Sequence, residues 1–234
     1  MLRLAARDLA HHLAVGDVAA ELSDLAAGTL EAALAVARER LGEEAGLARL
    51  AVVAMGKCGG HELNYVSDVD VIFVFEPVGD ADEHAAARVA TQLAGHLIRV
   101  CGDHTAEGTI WPVDAALRPE GKAGPLVRTL ASHRGYYERW AKTWEFQALL
   151  KARPVAGDLA LGREYVEMVA PMVWSAAERQ QEIAATEGVW ECSFVGACSE
   201  VCPEQVDPAG AIQQVKIKST VDWYTQHLMP WLKK

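Results

Sequence analysis

The sequence predicts an α+β fold: a short sheet set among helices, more helices after it, and a small helical tail that carries cysteines. Three observations support this. Two short apolar and β-branched runs, residues 50–55 and 68–75, flank a glycine-rich turn. Apolar residues at spacings of three and four fill the stretches before and after them. Near residue 180 the Ala/Leu/Arg-rich helical text gives way to a segment with three of the five cysteines.

Composition bounds the answer further. A chain of 234 residues suits one or two domains and buries enough surface to fold without disulfides. With 51% hydrophobic and 23% charged residues, disordered and fibrous classes are excluded. The balance of 22 basic against 32 acidic residues gives −10, which argues against a general nucleic-acid-binding coat. The first ten residues mix Arg3, Arg7 and Asp8 into their apolar text, unlike a signal peptide, and no window is long and apolar enough to span a membrane. The expected compartment is therefore the cytoplasm.

The elements follow in order. From Asp17, the residues Val18, Leu22, Leu25, Leu30, Ala33, Leu34, Val36 and Leu41 repeat at helical spacing. Asp17 is the expected N-cap, Gly42 the stop, and Gly28 a candidate break between two helices. Residues 50–55 read as a buried strand, residues 56–67 as a glycine-rich turn, and residues 68–75 as a second strand. A helix follows over 85–100, with Val89, Leu93, Leu97 and Val100 on one stripe. A third strand is expected over 109–117 and a turn-rich loop over 118–125. One long amphipathic helix is expected over 130–151, with Pro154 just beyond it and Trp140 and Trp144 as packing residues. A last helix before the boundary covers 162–181, with Pro171 as its kink or start. The tail reads as helix from Pro208 through Val215 and again from Ser219. The expected division is residues 1–46, 47–128, 129–181 and 182–234.

The chemistry concentrates at Gly59-Gly60 and at Ser67-Asp68-Val69-Asp70. Residues i and i+2 of a strand share a face, about 6.6 Å apart at Cα, so Asp68 and Asp70 converge. Paired carboxylates hold hard divalent cations, and such ions suit in-line displacement at phosphorus. Gly59 and Gly60 let backbone approach a phosphate, and Ser67 adds a hydroxyl. Asp114, in the third expected strand, is the natural third carboxylate. Arg118 and Lys122 follow as candidate phosphate ligands. Lys151 and Arg153 are read either as phosphate contacts or as a solvated face. Cys58 is read as a core residue.

Three blocks carry a resemblance. MGKCGGHELNYVSDVDVIFV (residues 55–74), VDAALRPEGK (113–122) and YYERWAKTWEFQALLKARP (136–154) resemble the glutamine synthetase adenylyltransferase/deadenylase family. The likeness covers about residues 1–181, and Lys142-Thr-Trp-Glu-Phe is closer to the N-terminal, deadenylylating half of actinobacterial members. It implies a polymerase-beta-type nucleotidyltransferase core, a short mixed sheet with flanking helices. It also implies Mg²⁺ held by Asp68, Asp70 and Asp114, and phosphates cradled by Gly59, Gly60 and Ser67. The implied reaction is phosphorolysis of adenylyl-tyrosine on glutamine synthetase, releasing ADP, or the related transfer of AMP from ATP. The family carries two such units, and this chain is expected to hold one at most. His61 stands where an Arg is more usual.

A second resemblance lies in the tail. EGVWECSFVGACSEVCPEQVDPAGAIQQVK (187–216) is similar to the C-terminal end of the iron–sulfur subunit of fumarate reductase and succinate dehydrogenase. Cys192, Cys198 and Cys202 stand at ligand spacing for iron–sulfur clusters. The upstream cysteine run that would complete those clusters is missing, because only Cys58 and Cys101 remain. The main expectation is an enzyme. The alternatives are an iron–sulfur electron-transfer fragment and an inactive nucleotide-binding fragment.

Overall fold

The computed structural model describes residues 1–174. The tail with Cys192, Cys198 and Cys202, and the expected boundary near residue 182, lie outside the described residues.

A mixed five-stranded sheet with helices on both faces forms the compact unit Met1–Val173. Helix α1 (Leu2–Leu9) precedes α2 (Val15–Leu41), and strand β1 (Ala48–Ala54) runs into the one-turn helix α3 (Gly56–Gly59). Strand β2 (Val69–Pro77) and helix α4 (Glu83–Gly102) follow, then β3 (Val113–Asp114), β4 (Val127–Arg128), α5 (Leu130–Arg139) and α6 (Thr143–Ala148). Strand β5 (Arg153–Gly157) and α7 (Leu159–Trp174) complete the described chain. The strand order is β3-β2-β1-β5, with β4 also paired to β2. β1 is antiparallel to β2 and β5, whereas β3 and β4 run parallel to β2.

Strands β1 and β2 are apolar throughout because both faces are covered. Leu50, Val52 and Ala54 with Val69, Val71, Phe73 and Phe75 pack against α2 and α4. Ala51, Val53, Met55, Ile72 and Val74 face the other way, onto Tyr137, Leu149, Leu161, Tyr165 and Val169. The two-residue period of the strand sorts these sets. It also places Asp70 on the side of Ile72 and Val74.

Several elements differ from expectation. α2 runs unbroken past Gly28 and starts at Val15, so Asp17 lies in its first turn. Nothing lies within 4 Å of a Cβ added at Gly28, and an exposed helical glycine costs only about 1 kcal/mol against alanine, too little to break so long a helix. Gly42, at φ +61°, ends it. The third strand shrinks to Val113–Asp114. The long helix over 130–151 splits in two. The Lys142 N–H donates to Glu145 Oε2 at 2.8 Å, which opens a new helix after Trp140. The split takes Trp140 and Trp144 off the buried stripe; they are 73% and 50% exposed and do not pack in the core.

Pro154 belongs to an edge strand. It pairs with Val53 beside a register irregularity, where a missing N–H is tolerated. Pro171 sits inside α7, which begins at Leu159 under the Asp158 cap.

Candidate active site

The site forms at the edge where β2 and β3 lie side by side. Asp70 and Asp114 are register partners in that parallel pair. The Val69 N–H donates to the Pro112 carbonyl at 2.9 Å, and the Met55 N–H donates to the Asp70 carbonyl at 2.9 Å. Backbone bonds on both sides thus hold the start of β2 around Asp70. Asp68 comes from the chain just before β2. A carboxylate oxygen from each of Asp68, Asp70 and Asp114 lies within 4.8 Å of the others. Asp68 is exposed, while Asp70 and Asp114 are half-buried.

Electrostatics single out Asp70. Burial pushes its carboxyl above the ordinary carboxylate range, the negative charges of Asp68 and Asp114 push it further, and Lys57 opposes them. Three hard oxygen donors with mutually repelling charges fit a magnesium-like cation, which would relieve that repulsion.

The loop leading to Asp68 is tied to the helices. The Leu63 N–H donates to buried Ser23 Oγ at 3.2 Å, and Tyr65 Oη donates to Asp8 Oδ2 at 3.0 Å. Lys57, Tyr65, Val66, Ser67, Asp68, Ile110, Trp111 and Pro112 line an adjoining open pocket of about 590 Å³. Ser67 Oγ donates to the Asp68 carbonyl at 3.0 Å on its rim.

The diglycine serves a different purpose from the one read in the sequence. The Gly59 N–H donates to the Met55 carbonyl at 2.9 Å and the Gly60 N–H to the Gly56 carbonyl at 3.0 Å. Both donors are spent inside the turn. A Cβ at Gly59 would lie 2.1 Å from the Lys151 carbonyl oxygen and 2.6 Å from that of Ala54, so Gly59 permits close backbone packing. Gly56 is a further glycine of the site, beyond those the sequence pattern marks. It has φ +50°, and a Cβ there would sit 2.9 Å from Asp70 Oδ2. Its signal was available, as a glycine directly after an apolar strand.

Arg118, Lys151 and Arg153 are also engaged. Arg118 donates to the Ala115 carbonyl at 2.7 Å, the Gly124 carbonyl at 3.1 and 3.2 Å, and the Lys122 carbonyl at 3.3 Å. Burial lowers its pKa and nearby Asp114 counters that. Lys122 is exposed in the same loop. Arg153 Nη2 and Nε donate to the Cys58 and Gly59 carbonyls at 3.0 and 3.2 Å, and Lys151 pairs with Glu62. Cys58 is buried in the core, and burial pushes its thiol up to about 11.

Known proteins resemble this chain over most of its length. The family model described as glutamate-ammonia ligase adenylyltransferase matches residues 1–168. A Streptomyces avermitilis protein named bifunctional glutamine synthetase adenylyltransferase/adenylyl-removing enzyme is 64% identical over 184 residues, covering 79% of this chain and 18% of its own length. A Streptomyces coelicolor protein of the same name is 64% identical over 183 residues, 77% of this chain and 18% of its own. The Mycolicibacterium smegmatis protein is 54% identical over 172 residues, 74% and 17% respectively. The chain thus spans about a fifth of the length of these relatives. Nearly three-quarters of its residues fall within the family match, and the chain belongs to the glutamate-ammonia ligase adenylyltransferase family.

Proposed function

We propose that this chain is a Mg²⁺-dependent nucleotidyltransferase unit, with a polymerase-beta-type core, that acts on glutamine synthetase. Its reaction is removal of AMP from adenylyl-tyrosine by phosphorolysis, with transfer of AMP from ATP as the related direction. The observation that carries this reading is the meeting of Asp68, Asp70 and Asp114 within 4.8 Å at the β2–β3 edge. The names of the relatives support the substrate.

In this reading the three carboxylates hold the cation, which when bound offsets charge on the transferring phosphoryl group. Gly56 brings backbone close to Asp70 without a side chain in the way, and Gly59 and Gly60 close the turn that follows it. Ser67 and Lys57 line the pocket beside Asp68, where a phosphate or nucleotide would lie. Lys122 is the exposed cation of the loop after Asp114 and is assigned to phosphate. The sequence suggests the same role for Arg118, but its donors face carbonyls. An oxygen of orthophosphate attacks the adenylyl phosphorus, the bond to the tyrosyl oxygen breaks, the phenolate takes a proton, and ADP leaves. The chain's own contribution is to bind, align and screen charge.

The test is release of ADP from adenylylated glutamine synthetase by the full chain with Mg²⁺ and phosphate. Asp68→Asn and Asp70→Asn should each cut the rate at least a hundredfold. Rates equal to that of the unsubstituted chain would remove those carboxylates from the mechanism. The iron–sulfur alternative rests on Cys192, Cys198 and Cys202, outside the described residues, and no observation on the described chain favours it.

A further inference from the structure

Strand β3 is only two residues long, and it must deliver Asp114 to the site. Two ladder positions, Val69 with Val113 and Asp70 with Asp114, are its whole pairing. A strand that short does not fix the direction in which the chain leaves it. The chain then makes a loop and rejoins β2 as β4, through Phe73 with Val127 and Val74 with Arg128. Something in the loop has to hold the exit from Asp114.

Arg118 sits inside that loop. Its guanidinium gathers the carbonyls of Ala115, Lys122 and Gly124, at 2.7 to 3.3 Å, so one side chain ties the loop's start to its end. The Arg118 N–H also donates to the Ala115 carbonyl at 3.3 Å, and the Gly121 N–H donates to the Arg118 carbonyl at 2.8 Å. Asp114 is attached to the same unit, because its Oδ1 accepts the Ala116 N–H at 2.7 Å. A second latch closes the far side: Glu120, at φ +63°, pairs with Arg128, which also donates to Ser132 Oγ at 3.1 Å. A lysine cannot replace the first clamp, since its single ammonium does not offer a planar fork to three carbonyls.

We infer that Arg118 is a positioning residue that sets the Asp114 carboxylate for the cation, and that it is not a ligand of the substrate phosphate. The inference rests on the reading of Asp68, Asp70 and Asp114 as a cation site. A partner that orients a metal-binding carboxylate changes metal affinity by roughly 10- to 100-fold when removed. A phosphate ligand would leave metal affinity alone and raise the KM for phosphate.

The experiment measures Mn²⁺ affinity of the full chain by electron paramagnetic resonance, with Asp70→Asn as reference. Arg118→Lys and Arg118→Gln should weaken Mn²⁺ binding about tenfold. The KM for orthophosphate at saturating Mn²⁺ should stay within twofold, and amide exchange over residues 115–124 should quicken. Wild-type Mn²⁺ affinity in both variants, while Asp70→Asn loses it, would overturn the inference alone. So would unchanged Mn²⁺ affinity with a raised phosphate KM. If Asp70→Asn binds Mn²⁺ as well as the unsubstituted chain, the cation site itself falls and the inference with it. Should the glutamine variant fail to fold, the lysine variant, which keeps the charge, decides.

Discussion

At Asp70 the fold works against the charge that the proposed cation site needs. Burial and two neighbouring carboxylates raise its pKa, so the folded protein holds that proton more tightly than the unfolded chain does. The contribution to stability is therefore present below the unfolded value, about 3.9, and is lost as pH rises through the folded one. In cation-free protein at pH 7, Asp70→Asn should raise the Tm, and the gain should shrink toward pH 4. A lower Tm for the variant at pH 7 would contradict the electrostatic account. His133 titrates in the opposite sense. Its ring is buried beside Tyr137 and Tyr165, neither nitrogen makes a hydrogen bond of normal geometry, and burial pushes its pKa down to about 3. The nearby Phe73 backbone offsets this only in part. A depressed base stabilises above its unfolded value, near 6.5, and that stability is lost as pH falls toward 3. Urea unfolding at pH 7 and pH 4.5 should show a smaller acid loss for His133→Phe than for the unsubstituted chain. Equal losses would exclude His133 as a source of acid sensitivity.

Among the elements, the short ones decide the site. α3 is a single turn wedged under the Lys151 carbonyl, and Gly59 leaves no room for a methyl group there. Gly59→Ala should cost several kcal/mol in urea unfolding, on the order of other substitutions that force backbone apart. Loss of the Thr129 cap, whose hydroxyl accepts the Ser132 N–H at 3.2 Å, should cost only about 1 kcal/mol as Thr129→Ala. If the two costs were alike, close backbone packing would not be what requires glycine at position 59. These elements also show what the sequence could and could not disclose. β1 and β2 are legible because burial on both faces demands a continuous apolar, β-branched run. Asp70 is legible from the period of that strand, whereas Asp68, expected at the strand's start, stands one residue ahead of it. β4 and β5 are not, since one has two residues and the other carries Pro154 and Gly157. Their pairing is fixed by the sheet they join and leaves no local pattern. The break at Trp140 is equally hidden, because it depends on Glu145 turning back to the Lys142 N–H. Arg118 looks like a phosphate ligand in a string of letters, and only the folded loop shows its three carbonyl partners.

At the scale of the described unit, Met1–Val173, the sheet between two helical layers is a frame that presents one edge. Phe73 is 1% exposed at the centre of the α2–α4 side. Phe73→Ala should cost about 3–5 kcal/mol and weaken Mn²⁺ binding only as far as the fold loosens. The frame is built from the first 174 residues, and the family match ends at residue 168. No helix among the described residues is long and apolar enough to cross a membrane. The chain's net charge of −10 makes an unneutralised acidic edge still costlier, so added Mg²⁺ should raise the Tm of the unsubstituted chain and leave that of Asp70→Asn nearly unchanged. The most direct test is turnover: ADP released from adenylylated glutamine synthetase by the full chain, with phosphate and Mg²⁺, set beside Asp70→Asn. The account predicts release that depends on both additions and falls at least a hundredfold in the variant. Release that persists in Asp70→Asn, or that proceeds without a divalent cation, would contradict it.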